Sequence, residues 1–199
     1  RDAAGNFVAN AAGTWSLTNK TGGVADANLA AAGDNKSAVM TGVLIGAANI
    51  SIASTGLINT PSGTITVIAG PANKLAITTQ PSSPTQTGVM FAQQPVIQLQ
   101  DLAGNIVNQA GTQIIVSVTT GAGTLGGTLT ATTDASGVAS FTDLMITGAA
   151  GDRTLQFAST GLTGTTSGIV SITLTPVPLT VSIQTQVDVF VNGQSTGSV

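Results

Sequence analysis

Thr154-Leu155-Gln156-Phe157-Ala158-Ser159-Thr160-Gly161-Leu162 alternates apolar and polar residues, then breaks at a Ser-Thr-Gly turn. A period of two is that of a strand with one buried face. The same ending stands 105 residues earlier as Ala53-Ser54-Thr55-Gly56-Leu57, and Ser62-Gly63 and Ser167-Gly168 follow the two copies in one register. Upstream, Asp2-Ala3-Ala4-Gly5-Asn6-Phe7-Val8 returns as Asp101-Leu102-Ala103-Gly104-Asn105-Ile106-Val107. Two copies of one β-domain of about 100 residues follow each other.

Outward from this repeat the chain keeps the same grammar. Ile50-Ser51-Ile52, Thr64-Ile65-Thr66-Val67, Ile114-Ile115-Val116-Ser117-Val118 and Gly168-Ile169-Val170-Ser171-Ile172-Thr173-Leu174 alternate between Gly, Asn, Asp or Pro boundaries. The Ala-rich stretch Ala25 to Ala32 is short, lacks an apolar stripe and stops at Gly33, so a loop or single turn is expected there. The fold class is all-β: tandem β-sandwiches, which the resemblance given below makes immunoglobulin-like, with a strand-rich C-terminal tail.

Ala69-Gly70-Pro71-Ala72-Asn73 and Thr175-Pro176-Val177-Pro178 mark the joints. They divide the chain into a sandwich at 1–70, a complete sandwich at 71–176 and a tail at 177–199. Short linkers restrained by proline favour an end-to-end rod. The first copy has one residue before its Asp-x-x-Gly-Asn turn where the second has about 30, so its first strand and most of its second are expected to be missing. The tail has matching strand patterns: Leu179, Val181 and Ile183, then Val187, Val189 and Val191, with a turn at Asn192-Gly193. These six residues are the candidates for strand donation.

Composition removes most chemistry. The 199 residues contain no His, Cys or Tyr, and all eight acidic residues are Asp. Disulfides, Cys or His metal sites and Ser-His-Asp triads are thereby excluded. Five basic residues and a net charge of -3 leave no footprint for a nucleic acid. No run of about 18 apolar residues spans a membrane. The opening Arg1-Asp2, without a Met, reads as a processed product or a piece of a longer chain.

The Asp101 to Val107 segment after a strand resembles the tandem bacterial Ig-like repeats of invasin, intimin and adhesin-type surface proteins. Thr133-Asp134-Ala135-Ser136-Gly137-Val138-Ala139 before a strand and Gly151-Asp152-Arg153-Thr154-Leu155 carry the same resemblance. Gly13-Thr14-Trp15-Ser16-Leu17 is similar to a related variant, and Val191-Asn192-Gly193-Gln194-Ser195 to the approach to a second strand. The resemblance implies the fold, an extracellular, secreted or cell-surface setting, and no catalytic residues. It also raises Lys-to-Asn or Lys-to-Asp crosslinks, for which Lys20, Lys36 and Lys74 are the candidates.

Trp15 alternates with Leu17 and reads as core rather than as a binding aromatic. The expected core of the first copy is Trp15, Leu17, Ile50, Ile52, Ile65 and Val67. That of the second is Ile114, Val116, Leu155, Phe157, Val170 and Ile172, with Phe91 and Phe141. Asp101 and Asp134 each sit in a turn whose carboxylate bonds its own backbone, so neither metal nor cofactor is expected.

The expectation is a non-enzymatic structural module of an extracellular bacterial fibre or stalk. It self-associates head to tail by strand complementation, or forms one period of a longer tandem-repeat chain. The alternative is an adhesin module binding a glycan or host surface protein through sandwich-end loops.

Overall fold

The computed structural model describes residue 4 and residues 11–59, 61–176, 188–191 and 194–198. In the first half lie β1 (Thr14–Gly22), β2 (Leu29–Ala31), β3 (Ala38–Met40), β4 (Gly46–Ala53) and β5 (Ile65–Val67). The second half carries β6 (Lys74–Thr79), β7 (Thr85–Gln86), β8 (Val96–Gln100), β9 (Gln113–Thr120), β10 (Thr124–Gly126) and β11 (Thr130–Thr132). It continues through β12 (Val138–Ser140), β13 (Met145–Thr147), β14 (Gly151–Ala158), β15 (Thr165–Thr166) and β16 (Val170–Thr173). The described residues hold no α-helix, and no helix is long and apolar enough to cross a membrane. Ala25 to Ala32 is one 3-10 turn, Asp26–Asn28, running into β2.

The second half is a two-sheet sandwich. One sheet has the order β12-β8-β6; the other has β11-β9-β14-β16-β7 with β15 on β14. This distribution is immunoglobulin-like. Inward-facing Ile97 and Leu99 of β8 and Ala139 of β12 meet Ile114, Val116, Leu155, Phe157, Val170 and Ile172 from the opposite sheet, all buried. Phe141 and Phe157 pack with ring centroids 5.6 Å apart and tilted by 53°. Phe91 is buried in the same core.

In the first half, β1-β4-β5 repeats the arrangement of β9-β14-β16, and the hairpin β2-β3 repeats β10-β13. The register is the same as well. Gly46 faces Val67 as Gly151 faces Ile172, and Ile52 faces Trp15 as Phe157 faces Val116. The turn after the long strand is the same in both copies: the Leu57 N–H donates to the Ser54 carbonyl and that of Leu162 to Ser159. Gly56 and Gly161 both sit at φ +77, a conformation that a side chain disfavours.

Among the described residues, the β12-β8-β6 sheet has no counterpart in the first half. The cluster there is small, with Leu17, Val24 and Ala48 buried and Leu29, Met40, Ile50 and Val67 packed around them. The expected core positions Trp15, Ile50, Ile52 and Val67 are half-buried. Ile65 is corrected from core to surface: it is 37% exposed, whereas its equivalent Val170 is 0% exposed beneath the second sheet. What covers the face, rather than how the strand alternates, makes the difference.

In the tail, β17 (Asp188–Val191) and β18 (Gln194–Ser198) pair antiparallel around the expected Asn192-Gly193 position. Leu179, Val181, Ile183 and Val187 lie outside the described residues. Val189 and Val191 belong to β17 by their backbone alone.

Candidate functional site

A built polar cluster lies where the halves meet, between the segment before β4, the linker after β5 and the turn after β8. That turn is the repeated Asp-x-x-Gly-Asn sequence. Its backbone closes on itself: the Gly104 N–H donates to the Asp101 carbonyl at 3.1 Å and the Asp101 N–H to the Asn105 carbonyl at 3.0 Å. Gly104 takes φ +95, which favours glycine. The Asp101 carboxylate then accepts from within the turn, with Asn105 N–H on Oδ1 at 2.8 Å and Asn105 Nδ2 on Oδ2 at 2.8 Å.

The remaining bonds leave the turn. The linker N–H of Gly70 donates to Asp101 Oδ2 at 3.0 Å. Asn105 Nδ2 donates to the Val43 carbonyl at 2.9 Å, while Asn105 Oδ1 accepts the Ile45 N–H at 3.1 Å. The side-chain amide of Asn105 thus behaves as an extra peptide group. It offers one donor and one acceptor to a backbone that offers the reverse. Asp101 and Asn105 are only 5% and 7% exposed, so these bonds form away from bulk water.

The electrostatics follow from the donors. The Asn105 amide, against the opposing effect of burial, and the N–H groups of Gly70, Asn105 and Gly104 pull the Asp101 carboxyl down to about 2. Beside it is an open groove of about 700 Å³ with Val43, Ile68, Pro71 and Leu102 on its walls. Ile68 and Leu102 are 77% and 78% exposed.

No catalytic pair or cation cage is assembled here. Both oxygens of Asp101 are engaged by N–H donors, and no three potential metal-ligating side chains come together among the described residues. Asp143 also has a lowered pKa, because the backbone N–H and hydroxyl of Thr128 donate to it. Asp134 accepts the N–H groups of Ser136 and Val138 within its own turn.

The other sequence candidates are dispersed. Leu17, Ile114, Val116, Leu155 and Phe157 are buried side chains of the two clusters. Trp15 is half-buried and its Nε1 donates to the Asn35 carbonyl at 2.9 Å. Phe91, Phe141 and Phe157 are buried, so these three form no exposed stacking platform. Lys20 makes an exposed ion pair with Asp26, and Lys74 Nζ donates to the Leu102 carbonyl.

The bonds of Asn105 to the first half are what sequence reasoning missed. Turn chemistry accounts for an Asp at the start and a Gly at the fourth place. It does not account for the Asn that follows in both copies, and that was the available signal.

No family model matches this sequence, and no curated protein does either. Solved structures are similar in fold at low identity. The D00-D0 domain of intimin is 13% identical, with 79% of this chain and 86% of that one covered and a TM-score of 0.48. A beta-glycosidase from Bacteroides vulgatus is 15% identical over 68% of this chain with a TM-score of 0.44. A glycosyl hydrolase family 2 member from Bacteroides cellulosilyticus is 15% identical over 71%, with a TM-score of 0.38. The chain spans 19% of the length of each of these two enzymes.

Proposed function

We propose that the chain is a non-enzymatic structural segment of an extracellular bacterial fibre or surface stalk, built from Ig-like units held end to end. The observation that carries this reading is the joint. Asn105 and Asp101 of the second half bond the backbone of Val43, Ile45 and Gly70, which restrains the angle between the halves without a metal. A spacer needs that restraint, and a catalyst would need reactive groups converging on a cleft. The residue inventory supports the same reading, since only Asp, Lys and Arg are available as charged side chains.

Assembly by strand donation from the tail remains a sequence expectation, because four of its six candidate residues lie outside the described region. The described part of the tail pairs with itself.

Small-angle X-ray scattering on the whole chain tests the reading. A stiff rod should give a maximum dimension near twice that of one sandwich, unchanged by a chelator. A compact particle, or a broad distribution of interdomain distances, would end the spacer proposal.

A further inference from the structure

The joint uses three receptor groups on the first half: the Val43 carbonyl, the Ile45 N–H and the Gly70 N–H. The repeat places the same three groups 105 residues later, on the Gly148 carbonyl, the Ala150 N–H and the Thr175 N–H. The match holds at the strand that follows and at the linker. Gly46 and Gly151 open the long strands, with Val67 and Ile172 as their partners. Pro71 and Pro176 follow the two linker donors. The second loop, residues 148–150 between β13 and β14, is two residues shorter than the first, residues 41–45 between β3 and β4, so the equivalence is counted back from the long strand.

In the second half these receptors are vacant: none makes a hydrogen bond to any described residue. The loop is nevertheless held in place. Arg153, buried at the position equivalent to Ala48, donates from Nη2 to the Ala149 carbonyl at 2.9 Å and from Nη1 to the Asp152 carbonyl at 2.9 Å. Gly148 packs against Gly123 so closely that an added Cβ would stand 3.1 Å from the Gly123 Cα.

We infer that Gly148, Ala150 and Thr175 form a docking site for the Asp-x-x-Gly-Asn turn of a following Ig-like unit, joined through Thr175-Pro176. The inference rests on the spacer reading above and names the partner of its free end. Leu179-Thr180-Val181-Ser182-Ile183 follows the second linker as Leu75-Ala76-Ile77-Thr78 follows the first, which favours a following unit as the occupant. The chemistry selects Asn at the last turn position. A carboxamide meets a carbonyl and an N–H together, whereas Asp, Ser or an apolar residue leaves at least one of them without a bond.

The test is an extended chain in which residues 1–176 run directly into residues 72–199, so that Pro176 is followed by a second copy of the complete turn. Amide hydrogen exchange at Ala150 and Thr175 should slow at least tenfold relative to the original chain. It should return to the original rate when the Asn of the inserted turn is changed to Ala. Ala150→Pro, which deletes one receptor, should release Thr175 as well. Exchange at Ala150 and Thr175 within twofold of the original overturns the inference. In the same experiment Ile45 and Gly70 of the original chain are the reference. If those two exchange freely, the joint and the spacer reading fail together. If they are protected while Ala150 and Thr175 are not, the docking site alone is wrong.

Discussion

Strands β4 and β14 lie 105 residues apart, share their register with both neighbours and end in the same turn, yet their matching large apolar residues are buried to different depths. Leu155 and Phe157 are 0% exposed; Ile50 and Ile52, at the same positions, are half-buried. Pairing and twist are therefore local properties that each copy encodes for itself. Burial is a property of two layers, and the layer formed by β12-β8-β6 stands only over the second copy among the described residues.

The comparison breaks most directly through matched truncations. Leu155→Ala should cost about 3–4 kcal/mol, because it empties a closed site that cannot relax. Ile50→Ala removes as many carbons from a side chain already half in water and should cost roughly 1–2 kcal/mol. Denaturation followed by Trp15 fluorescence reports the first half and far-ultraviolet circular dichroism the whole. Equal losses would mean that the first sheet has cover comparable to that of the second.

The joint comes next. Asn105→Ala leaves the Val43 carbonyl and Ile45 N–H without their partner and takes the main donor from a buried carboxylate. About 2–3 kcal/mol of coupling between the halves should be lost. Asn105→Asp keeps the shape and puts an acceptor against the Val43 carbonyl, so it should weaken the joint at least as much at neutral pH. Separate unfolding of the two halves in a calorimeter is the expected sign. A single unchanged transition for both variants would show that the linker alone fixes the joint.

How much of this was legible in the sequence depends on the scale of the interaction. Period-two runs, the Ser-Thr-Gly turn and the Ser-Gly pairs act within a strand and its neighbour, and among the described residues they mark strands and turns found at their places. Ile65 was misplaced because alternation says which residues share a face and not whether a second sheet lies over it. The bonding of Asn105 to the first half was missed for a related reason. Its partners Val43 and Ile45 are backbone groups about 60 residues away, and backbone groups leave no signature in a sequence. Only the recurrence of Asn after Asp-x-x-Gly pointed to a task beyond the turn.

A smaller difference should separate the two Ser-Gly pairs. Ser62 Oγ accepts the Ile50 N–H at 2.8 Å and donates to the Gly63 carbonyl at 2.7 Å. Ser167 Oγ does the same for the Leu155 N–H and the Gly168 carbonyl, at 2.9 and 2.7 Å. Ser167 is buried and Ser62 only half so, and water can replace part of what the latter provides. Ser167→Ala should cost roughly 1–2 kcal/mol and Ser62→Ala roughly 0.5–1 kcal/mol. Equal costs would mean that strand geometry, rather than solvent access, sets the value of this bond.

The smallest effect is one of pH, and it should be confined to the joint. The Asp101 carboxyl is held at about 2 in the folded chain against 3.8 for an ordinary Asp. A group whose pKa is lowered by folding binds protons more readily when unfolded. Its contribution is present in full above pH 3.8 and is lost as the pH falls through about 2. Protonation would turn one carboxylate oxygen from an acceptor into a donor facing N–H groups from Gly70 and Asn105, so the joint should loosen before either core responds. Amide exchange at Gly70, corrected for the intrinsic pH dependence of exchange, should therefore be flat from pH 7 to about 4 and accelerate below it. Leu155, deep in the second core, should show no matching change. Asp101→Asn removes the titration and should flatten the profile at Gly70 while raising its exchange at every pH, because an amide is a weaker acceptor than a carboxylate. A profile at Gly70 that bends near pH 4 in the Asn variant too would assign the titration to another carboxylate and detach the joint from Asp101.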